Sequence, residues 1–351
     1  MAEIVFERRC DTVEILNPLK GFAPERQQLE MRWDPLLRHS SLYNSTVEQG
    51  LKIFVGAADQ ALLERLAAES AEKCFFCPER IEVTARFPET FIPEGRLSVG
   101  EATLFPNIFG VAPYHAVIIV SHAHWLPPSG FTPRLIGDAF QAARRYIATV
   151  FAADAEAAYA TVNANYLFPA GASMFHPHFQ ALVSHAPYTH QERLLQACRS
   201  YLKEKGSAYH QDLIATEQRL GERYIAQTGA WHWLASYSPM GANEIIGVHT
   251  GDGDFTALTD DDLAGLANGL AGVLRYYGHL GYYAFNFSLY SRRAPAEPDG
   301  FNCLIRCMTR QNPYPNYRVD DFFLQKGLES ELILTQPERL AEEARVFVGA
   351  G

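Results

Sequence analysis

The chain has 351 residues, of which 48% are hydrophobic and 20% are charged, and its formal net charge is −10. This composition is typical of a globular protein with a substantial core, and the negative charge argues against a nucleic-acid binder with a broad positive surface. The sequence contains no uninterrupted run of about 18 apolar residues, the length needed to span a membrane. Residues 1–16 carry charges where a signal peptide needs an apolar stretch. We therefore expect a cytoplasmic protein without membrane or nucleic-acid partners.

The predicted elements occur twice in the order strand, strand, helix, strand, strand. The first copy has them at residues 95–109, 115–122, 132–152, 157–166 and 178–185. The second copy has them at residues 231–240, 243–250, 258–278, 282–290 and 301–310. Thr259 is expected to cap the second helix, because acidic residues follow in its first turn. The repetition predicts an α+β fold, a duplicated unit whose antiparallel sheets have helices packed on one face.

Two helical stretches, at residues 191–206 and 211–227, form an insert between the copies. We place the domain boundary there: residues 1–190 form the N-terminal domain, and residues 191–351 hold the insert and the C-terminal domain. The candidate reactive histidines belong to the first copy, since the matching strand FNCLIRC of the second copy has none. We therefore expect the first copy to do the chemistry and the second to shape the site.

Cys74 and Cys77 differ from the other four cysteines because only two residues separate them. A C-x-x-C turn lets two thiolates converge on one tetrahedral metal ion. The same spacing is also found in redox dithiols and in pairs of buried core cysteines. The spacing alone leaves these three interpretations open.

A second motif, GASMFHPHFQ, places His176, His178 and Gln180 two residues apart. Successive side chains of a strand point to opposite faces, so these three are expected on one face. Pro177 restricts the backbone between the two histidines. An imidazole held in this way is suited to nucleophilic attack, because fixed orientation raises its effective concentration and most histidine is neutral at pH 7.

Together with Asn165 and the pair Gly171-x-Ser173, this motif resembles the galactose-1-phosphate uridylyltransferase branch of the histidine-triad (HIT) superfamily, in which two such units are fused. The resemblance implies that His178 attacks the α-phosphorus of a nucleotide and forms a covalent nucleotidyl-histidine. It implies that Gln180, Asn165 and Ser173 donate to phosphoryl oxygens and that Gly171 lets the backbone approach closely. Glutamine at position 180, where hydrolases of the superfamily typically have histidine, indicates a transferase.

The resemblance also implies a structural zinc site. Its four ligands would be Cys74, Cys77, His124 and His176, a closed tetrahedral set. His122 competes for the third position, but the family spacing Ser-x-x-His matches Ser121 and His124 and favours His124. Some relatives hold a second metal at an H-x-H motif in the second copy. Residues 301–310 lack that motif, so we expect no iron site.

The substrate contacts follow the family pattern only in part. The branch has Asn-Asp before a Phe-Pro in its base pocket, whereas this chain has Thr103 and Leu104 there, which weakens the case for uridine. Glu329 matches a glutamate that contacts sugar hydroxyls. The candidates for phosphate binding are Arg38, which we favour, and Arg26 and Arg32.

These features predict a nucleotidyltransferase that passes a nucleoside monophosphate between a nucleotide sugar and a sugar 1-phosphate. One alternative is a phosphorylase of ADP-sugars or dinucleoside polyphosphates, with inorganic phosphate as the acceptor. Another is an inactive nucleotide-binding zinc scaffold. The resemblance further implies a homodimer, because sites in that family draw residues from both subunits.

Overall fold

The computed structural model describes residues 2–47, 59–314 and 320–349. The strands, in chain order, are β1 (Glu7–Asn17), β2 (Ala23–Trp33), β3 (Ser40–Asn44), β4 (Leu97–Val99), β5 (Ala102–Pro106), β6 (Tyr114–Ile119), β7 (Tyr159–Tyr166), β8 (His178–Ser184), β9 (Tyr224–Thr228), β10 (Trp231–Ala235), β11 (Ile245–His249), β12 (Phe285–Arg292), β13 (Leu304–Thr309) and β14 (Ser330–Leu332). The helices whose bounds are described are α1 (Gln60–Ala71), α2 (Pro133–Ala153), α3 (Thr189–Lys205), α4 (Tyr209–Leu220), α5 (Asp260–His279), α6 (Phe323–Leu328) and α7 (Pro337–Ala344).

The two copies share one antiparallel sheet. Its ten strands lie in the order β4-β5-β6-β8-β7-β12-β13-β11-β10-β9. The first copy supplies β4 to β8 and the second supplies β9 to β13. They join where β7 pairs with β12 over its full length, from Tyr166 opposite Phe285 to Tyr159 opposite Arg292. The predicted α+β class with antiparallel pairing is confirmed, and the boundary near residue 190 stays a prediction.

The helix of each copy packs on the same face of this sheet. Helices α2 and α5 also pack against each other, and both contribute to the main core. Phe140 and Ile147 of α2 and Leu266 and Leu270 of α5 are fully buried. Burial of each such side chain stabilises the fold by about 1.5–3 kcal/mol. The predicted placement of helices on one face therefore holds for the two copies.

The N-cap predicted for α5 is confirmed. The Thr259 hydroxyl accepts from the backbone N–H of Asp262 at 3.1 Å, and the Asp262 carboxylate accepts from the backbone N–H of Thr259 at 2.9 Å. This reciprocal pair satisfies two donors that the first turn of a helix leaves unpaired. Acidic residues at this end also interact favourably with the helix dipole.

The insert covers the opposite face of the second copy. Leu194 of α3 and Leu213 of α4 pack with Leu234 and Ile246 of the sheet in a second core. The predicted helical stretch 211–227 is wrong at its end, because α4 stops at Leu220 and residues 224–228 form β9. Gly221 has a φ of +68°, the left-handed conformation that ends helices.

A smaller sheet joins the two ends of the chain. Its order is β1-β2-β3-β14, and β14 runs parallel to β3, with Ser330 opposite Ser40. Segments near residues 40 and 330 therefore lie side by side. Among the helices that the structure describes, none combines the length and the apolar character needed to cross a membrane.

Gly269 provides a test of the main core. A Cβ atom at Gly269 would lie 2.1 Å from the indole nitrogen of Trp233. We expect Gly269→Ala to lower the free energy of unfolding by about 1–3 kcal/mol, because overpacking displaces well-packed neighbours. The control is Gly327→Ala on α6, where a Cβ atom meets nothing within 4 Å and helix propensity predicts a gain of up to about 1 kcal/mol. Urea unfolding measures both, and equal stabilities would contradict this packing.

Candidate active site and metal centre

Four potential metal ligands lie together in the first copy. They are Cys74, Cys77, His124 and His176, and one ligand atom of each lies within 4.8 Å of the others. Nδ1 of His176 is 3.7 Å from the Cys74 sulfur and 3.6 Å from the Cys77 sulfur. Nδ1 of His124 is 3.4 Å from the Cys77 sulfur. Sulfur and nitrogen ligands about 2.3 Å and about 2.0 Å from a tetrahedral ion are themselves about 3.5 Å apart, so one such ion fits the cluster.

Both histidines present Nδ1 to the thiols because their Nε2 atoms have other partners. Nε2 of His176 donates to the Ser121 carbonyl at 2.8 Å, and Nε2 of His124 lies 2.9 Å from the Ser70 hydroxyl. Such partners fix the orientation of metal-binding imidazoles. Burial lowers the pKa of His176 to about 4 and raises the pKa of Cys77 to about 12. The imidazole is therefore neutral, and a second thiolate beside the first requires a cation to stabilise it.

The geometry separates the two histidines that compete for the third ligand position. His124 belongs to the cluster. The side chain of His122 is exposed, and its backbone N–H donates to the Glu101 carboxylate at 3.0 Å. The cluster described here therefore contains His124 and excludes His122.

His178 begins β8 and is only 6% exposed. Its Nδ1 lies 2.8 Å from the backbone carbonyl of His176. A carbonyl can only accept, so Nδ1 carries the hydrogen and Nε2 keeps its lone pair. Burial lowers the pKa of His178 below its usual range, although the hydrogen bond to His176 acts in the opposite direction. Phe76, from the loop between the two cysteines, packs edge-on against the ring at 5.3 Å between centroids.

Gln180 lies on the same face of β8, since Phe179 between them belongs to the main core. Its Oε1 is 2.8 Å from Nε2 of His115 on β6. The backbone N–H of Val111 donates to Nδ1 of that imidazole at 3.2 Å, so Nε2 must be the protonated nitrogen. His115 therefore donates to Gln180, and the NH₂ group is the free end of the glutamine amide.

Asn165 lies on β7 directly opposite Asn286 of β12. Nδ2 of Asn286 donates to Oδ1 of Asn165 at 2.8 Å and to the carbonyl of Ala170 at 2.9 Å. Gly171 follows with a φ of +85°, which side-chain-bearing residues rarely adopt, and a Cβ atom there would lie 3.8 Å from Nδ2 of Asn165. Ser173 is exposed on the same loop. The amide of Asn165 and the backbone of this loop thus lie next to each other.

A small apolar cluster adjoins His178 on the site face. Phe105, Val117 and Ile119 form a small buried cluster there, with Phe76 packed against it. Ile119 lies opposite both His178 on β8 and Thr103 on β5. Leu104 is fully buried in the main core on the other face. Of the two residues that stand where the resembled family has Asn-Asp, Thr103 therefore offers a hydroxyl, and the side chain of Leu104 lies in the core.

Arg38 and Glu329 lie in another part of the fold. Both line one cleft of about 520 Å³ beside the small sheet, and residues of the His178 site are not part of its lining. Arg38 donates to the Glu7 carboxylate at 2.6 Å. Glu329 pairs with Arg193, which lines the same cleft, at 3.1 Å. The structure brings these two predicted residues together, but not to His178 of the same chain.

The two alternative arginines, Arg32 and Arg26, form ion pairs with carboxylates outside the cleft. Arg32 is 3% exposed and pairs with Glu30 and Glu338, so its charge is already compensated inside the protein. Arg26 is exposed and pairs with Glu14 on the β1–β2 hairpin. Arg38 is the one of the three that lines the cleft.

Sequence reasoning missed two residues of the site, His115 and Asn286. Each bonds to a predicted residue from a neighbouring strand, His115 to Gln180 and Asn286 to Asn165. Strand pairing places them there, and the pairing partners are 65 and 121 residues apart in sequence. Only a correct sheet register could have identified them.

Comparison with solved structures defines the class of fold. An ADP-glucose phosphorylase from Arabidopsis thaliana with bound ADP-glucose matches with a TM-score of 0.68 and 16% identity, covering 90% of this chain and 98% of that chain. A galT-like protein from Arabidopsis thaliana matches with a TM-score of 0.67 and 17% identity, covering 92% and 99%. A uridylyltransferase matches with a TM-score of 0.63 and 17% identity, covering 70% and 84%. The chain therefore has the same fold as these three proteins, which confirms the resemblance at the level of the fold.

Sequence comparison identifies a relative of the chain. An "Uncharacterized protein" of Archaeoglobus fulgidus is 33% identical over 337 residues, which are 95% of this chain and 96% of the relative. Such identity over nearly the whole length of both proteins shows common family membership. The chain belongs to one family with this archaeal protein. No protein-family model matches the sequence.

The metal centre predicts the effect of losing one ligand. We expect Cys74→Ser to lower the bound metal to background and to reduce the free energy of unfolding by roughly several kcal/mol, because metal binding is coupled to folding. The control is Cys10→Ser, at an exposed cysteine of β1 outside the cluster. Elemental analysis and denaturant unfolding measure the two effects. Full metal content in Cys74→Ser would show that this residue is not a ligand.

Proposed function

We propose that the protein is a nucleotidyltransferase in which His178 carries a nucleoside monophosphate between two phosphate groups. The observation that carries this proposal is the hydrogen bond from Nδ1 of His178 to the backbone of His176, at 2.8 Å. It holds the ring and leaves the lone pair of Nε2 free. A neutral, oriented imidazole is the form in which histidine acts as a nucleophile.

The reaction has two steps. The Nε2 lone pair of His178 attacks the α-phosphorus of a nucleotide sugar, and the bond from this phosphorus to the bridging oxygen breaks. The sugar 1-phosphate leaves with the bonding electron pair. An oxygen of the acceptor phosphate then attacks the same phosphorus, and the phosphorus–nitrogen bond returns its electron pair to Nε2. The acceptor would be another sugar 1-phosphate.

The polar groups around His178 suit the charge that moves through these steps. Gln180 has a free NH₂ end because His115 holds its oxygen, and Asn165 has a free NH₂ end because Asn286 holds its oxygen. Ser173 adds a hydroxyl on the adjoining loop. Donors fixed before the reaction stabilise negative charge on phosphoryl oxygens without reorganisation.

The metal that we propose for the four-residue cluster is zinc, with a structural role. Two thiolates and two imidazoles fill all four positions of a tetrahedral ion and leave none for substrate. The ion would anchor His176, whose backbone carbonyl orients His178. The expectation that the protein holds no iron stays a prediction.

The cleft that holds Arg38 and Glu329 is the proposed place for the sugar phosphate. Arg38 and Arg193 supply positive charge, and Glu329 supplies acceptors for sugar hydroxyls. Because the cleft lies apart from His178 of the same chain, this role requires a homodimer in which the cleft of one subunit meets His178 of the other. The cytoplasm is the proposed location.

The base-pocket residues favour a second candidate, an adenylyltransferase that phosphorolyses ADP-sugars. The chain lacks the two polar residues that the resemblance assigned to uracil, and Leu104 is buried in the core. The side chains packed beside His178 are instead apolar: Phe105 and Ile119 are buried there, and Phe76 is partly buried against them. In this version inorganic phosphate takes the place of the sugar 1-phosphate in the second step.

Trapping the covalent intermediate tests the nucleophile. The protein is incubated with UDP-glucose or ADP-glucose radiolabelled at the α-phosphate and then quenched. We expect acid-labile, base-stable label on the wild-type protein and only background label on His178→Ala, because the attacking nitrogen is gone. The control is His122→Ala, at an exposed histidine outside the cluster, which should label normally. No label on the wild type from either donor would favour the inactive scaffold.

Thermal shifts identify the base. We expect AMP to raise the melting temperature more than UMP at equal concentration, because the side chains packed beside His178 are apolar and the two polar residues expected to contact uracil are absent. A ligand at 100 times its dissociation constant stabilises by about 2.7 kcal/mol, which is readily measured. A larger shift with UMP than with AMP would contradict the adenylyl candidate and support the uridylyl one.

A further inference from the structure

Asn286 belongs to the second copy, but its side chain contacts the candidate site in the first copy. It lies on β12, on the far side of the junction between the copies, and its partner Asn165 lies on β7. Its Nδ2 contacts three oxygens: the carbonyl of Ala164 at 3.2 Å, Oδ1 of Asn165 at 2.8 Å and the carbonyl of Ala170 at 2.9 Å. These contacts join the end of β7 to the turn that leads into Gly171.

The orientation of the Asn286 amide is fixed by a cation. Arg310 donates from a guanidinium nitrogen to Oδ1 of Asn286 at 2.9 Å. Arg310 is held in turn by Asp320, which accepts from its Nε at 2.9 Å and also from a second guanidinium nitrogen. Because a guanidinium can only donate, the Asn286 atom beside it must be the oxygen. The NH₂ group of Asn286 therefore faces Asn165.

This arrangement determines which end of Asn165 is available. Oδ1 of Asn165 accepts from Asn286, so its Nδ2 is the end that lies toward Gly171. If Asn165 rotated its amide by 180°, two NH₂ groups would face each other and an oxygen would face the phosphoryl group. The hydrogen bond between Asn165 and Asn286 would be lost, and the Asn165 oxygen would repel the phosphoryl oxygens of the substrate.

We propose that Asn286 is a positioning residue for nucleotidyl transfer, which acts through Asn165 and is itself oriented by Arg310 and Asp320. This inference rests on the proposed function. It gives the second copy, which lacks the candidate reactive histidines, an effect on the reacting phosphate that is transmitted by Asn165. We expect the fixed orientation of one donor amide to contribute on the order of 10- to 100-fold to the rate, up to the roughly 100-fold cost of a small misplacement and below the roughly 100- to 1,000-fold cost of removing a donor outright.

A double-mutant cycle tests the proposal. The rate constant and the amplitude of covalent labelling from α-labelled ADP-glucose and UDP-glucose are measured for Asn286→Asp, Asn165→Ala and the double variant. Asn286→Asp keeps the shape and the partner of Arg310 but has no hydrogen to donate to Asn165. We expect the rate constant to fall about 10- to 100-fold with an unchanged amplitude, which measures the fraction of folded, competent sites.

The cycle separates positioning from other effects of the substitution. If Asn286 acts through Asn165, then Asn286→Asp costs nothing further in the Asn165→Ala background. A full additional loss in that background would mean charge repulsion or general damage and would overturn the proposal. Asn286→Ala, which adds no charge, is the second variant if the aspartate lowers the amplitude; a wild-type rate in it would also overturn the proposal. Absence of label on the wild type would instead reject the proposed function itself, and this inference with it.

Discussion

The candidate site depends on a single residue, His176, which belongs to the cluster of four potential metal ligands and also contacts the proposed nucleophile, His178. Its Nδ1 faces the two thiols, and its Nε2 donates to the Ser121 carbonyl at 2.8 Å. Its own carbonyl accepts from Nδ1 of His178. Because the ring and the backbone of His176 are fixed together, the position of His178, the proposed nucleophile, is coupled to the positions of the four potential metal ligands. Phe76, in the loop between the cysteines, makes a T-shaped contact with the ring of His178 and adds to this coupling.

The two copies differ in what covers the sheet face opposite their central helices. In the first copy, the face opposite α2 carries His178, Gln180 and Asn165. In the second copy, the corresponding face is covered by α3 and α4 and buried in an apolar core. The insert therefore occupies the surface on which a second set of reactive residues would have to lie. The second copy contacts the candidate site through its strand β12, which carries Asn286.

Short motifs and local patterns predicted much of this structure. The expected strand is only partly correct, because β8 begins at His178 and His176 precedes it, so the alternation holds for His178 and Gln180 alone. This alternation, the C-x-x-C spacing and the Thr259 cap depend on neighbours a few residues apart, where backbone geometry is the deciding factor. The pairing of Asn286 with Asn165 and of His115 with Gln180 depends on sheet register between distant segments, which no local pattern records. The separation of Arg38 and Glu329 from His178 is likewise a property of the assembled sheets. The end of α4 was missed because Gly221 was not recognised as a left-handed helix terminus.

The junction of β7 and β12 also limits how this chain could be shortened. A fragment that stopped after the first copy would leave β7 as an exposed edge along the whole of Tyr159–Tyr166, with unpaired N–H and C=O groups open to any other strand. Half of the molecule would thus be prone to pair with copies of itself. Each half therefore depends on the other, because removing either one would expose an edge strand that can pair with other chains.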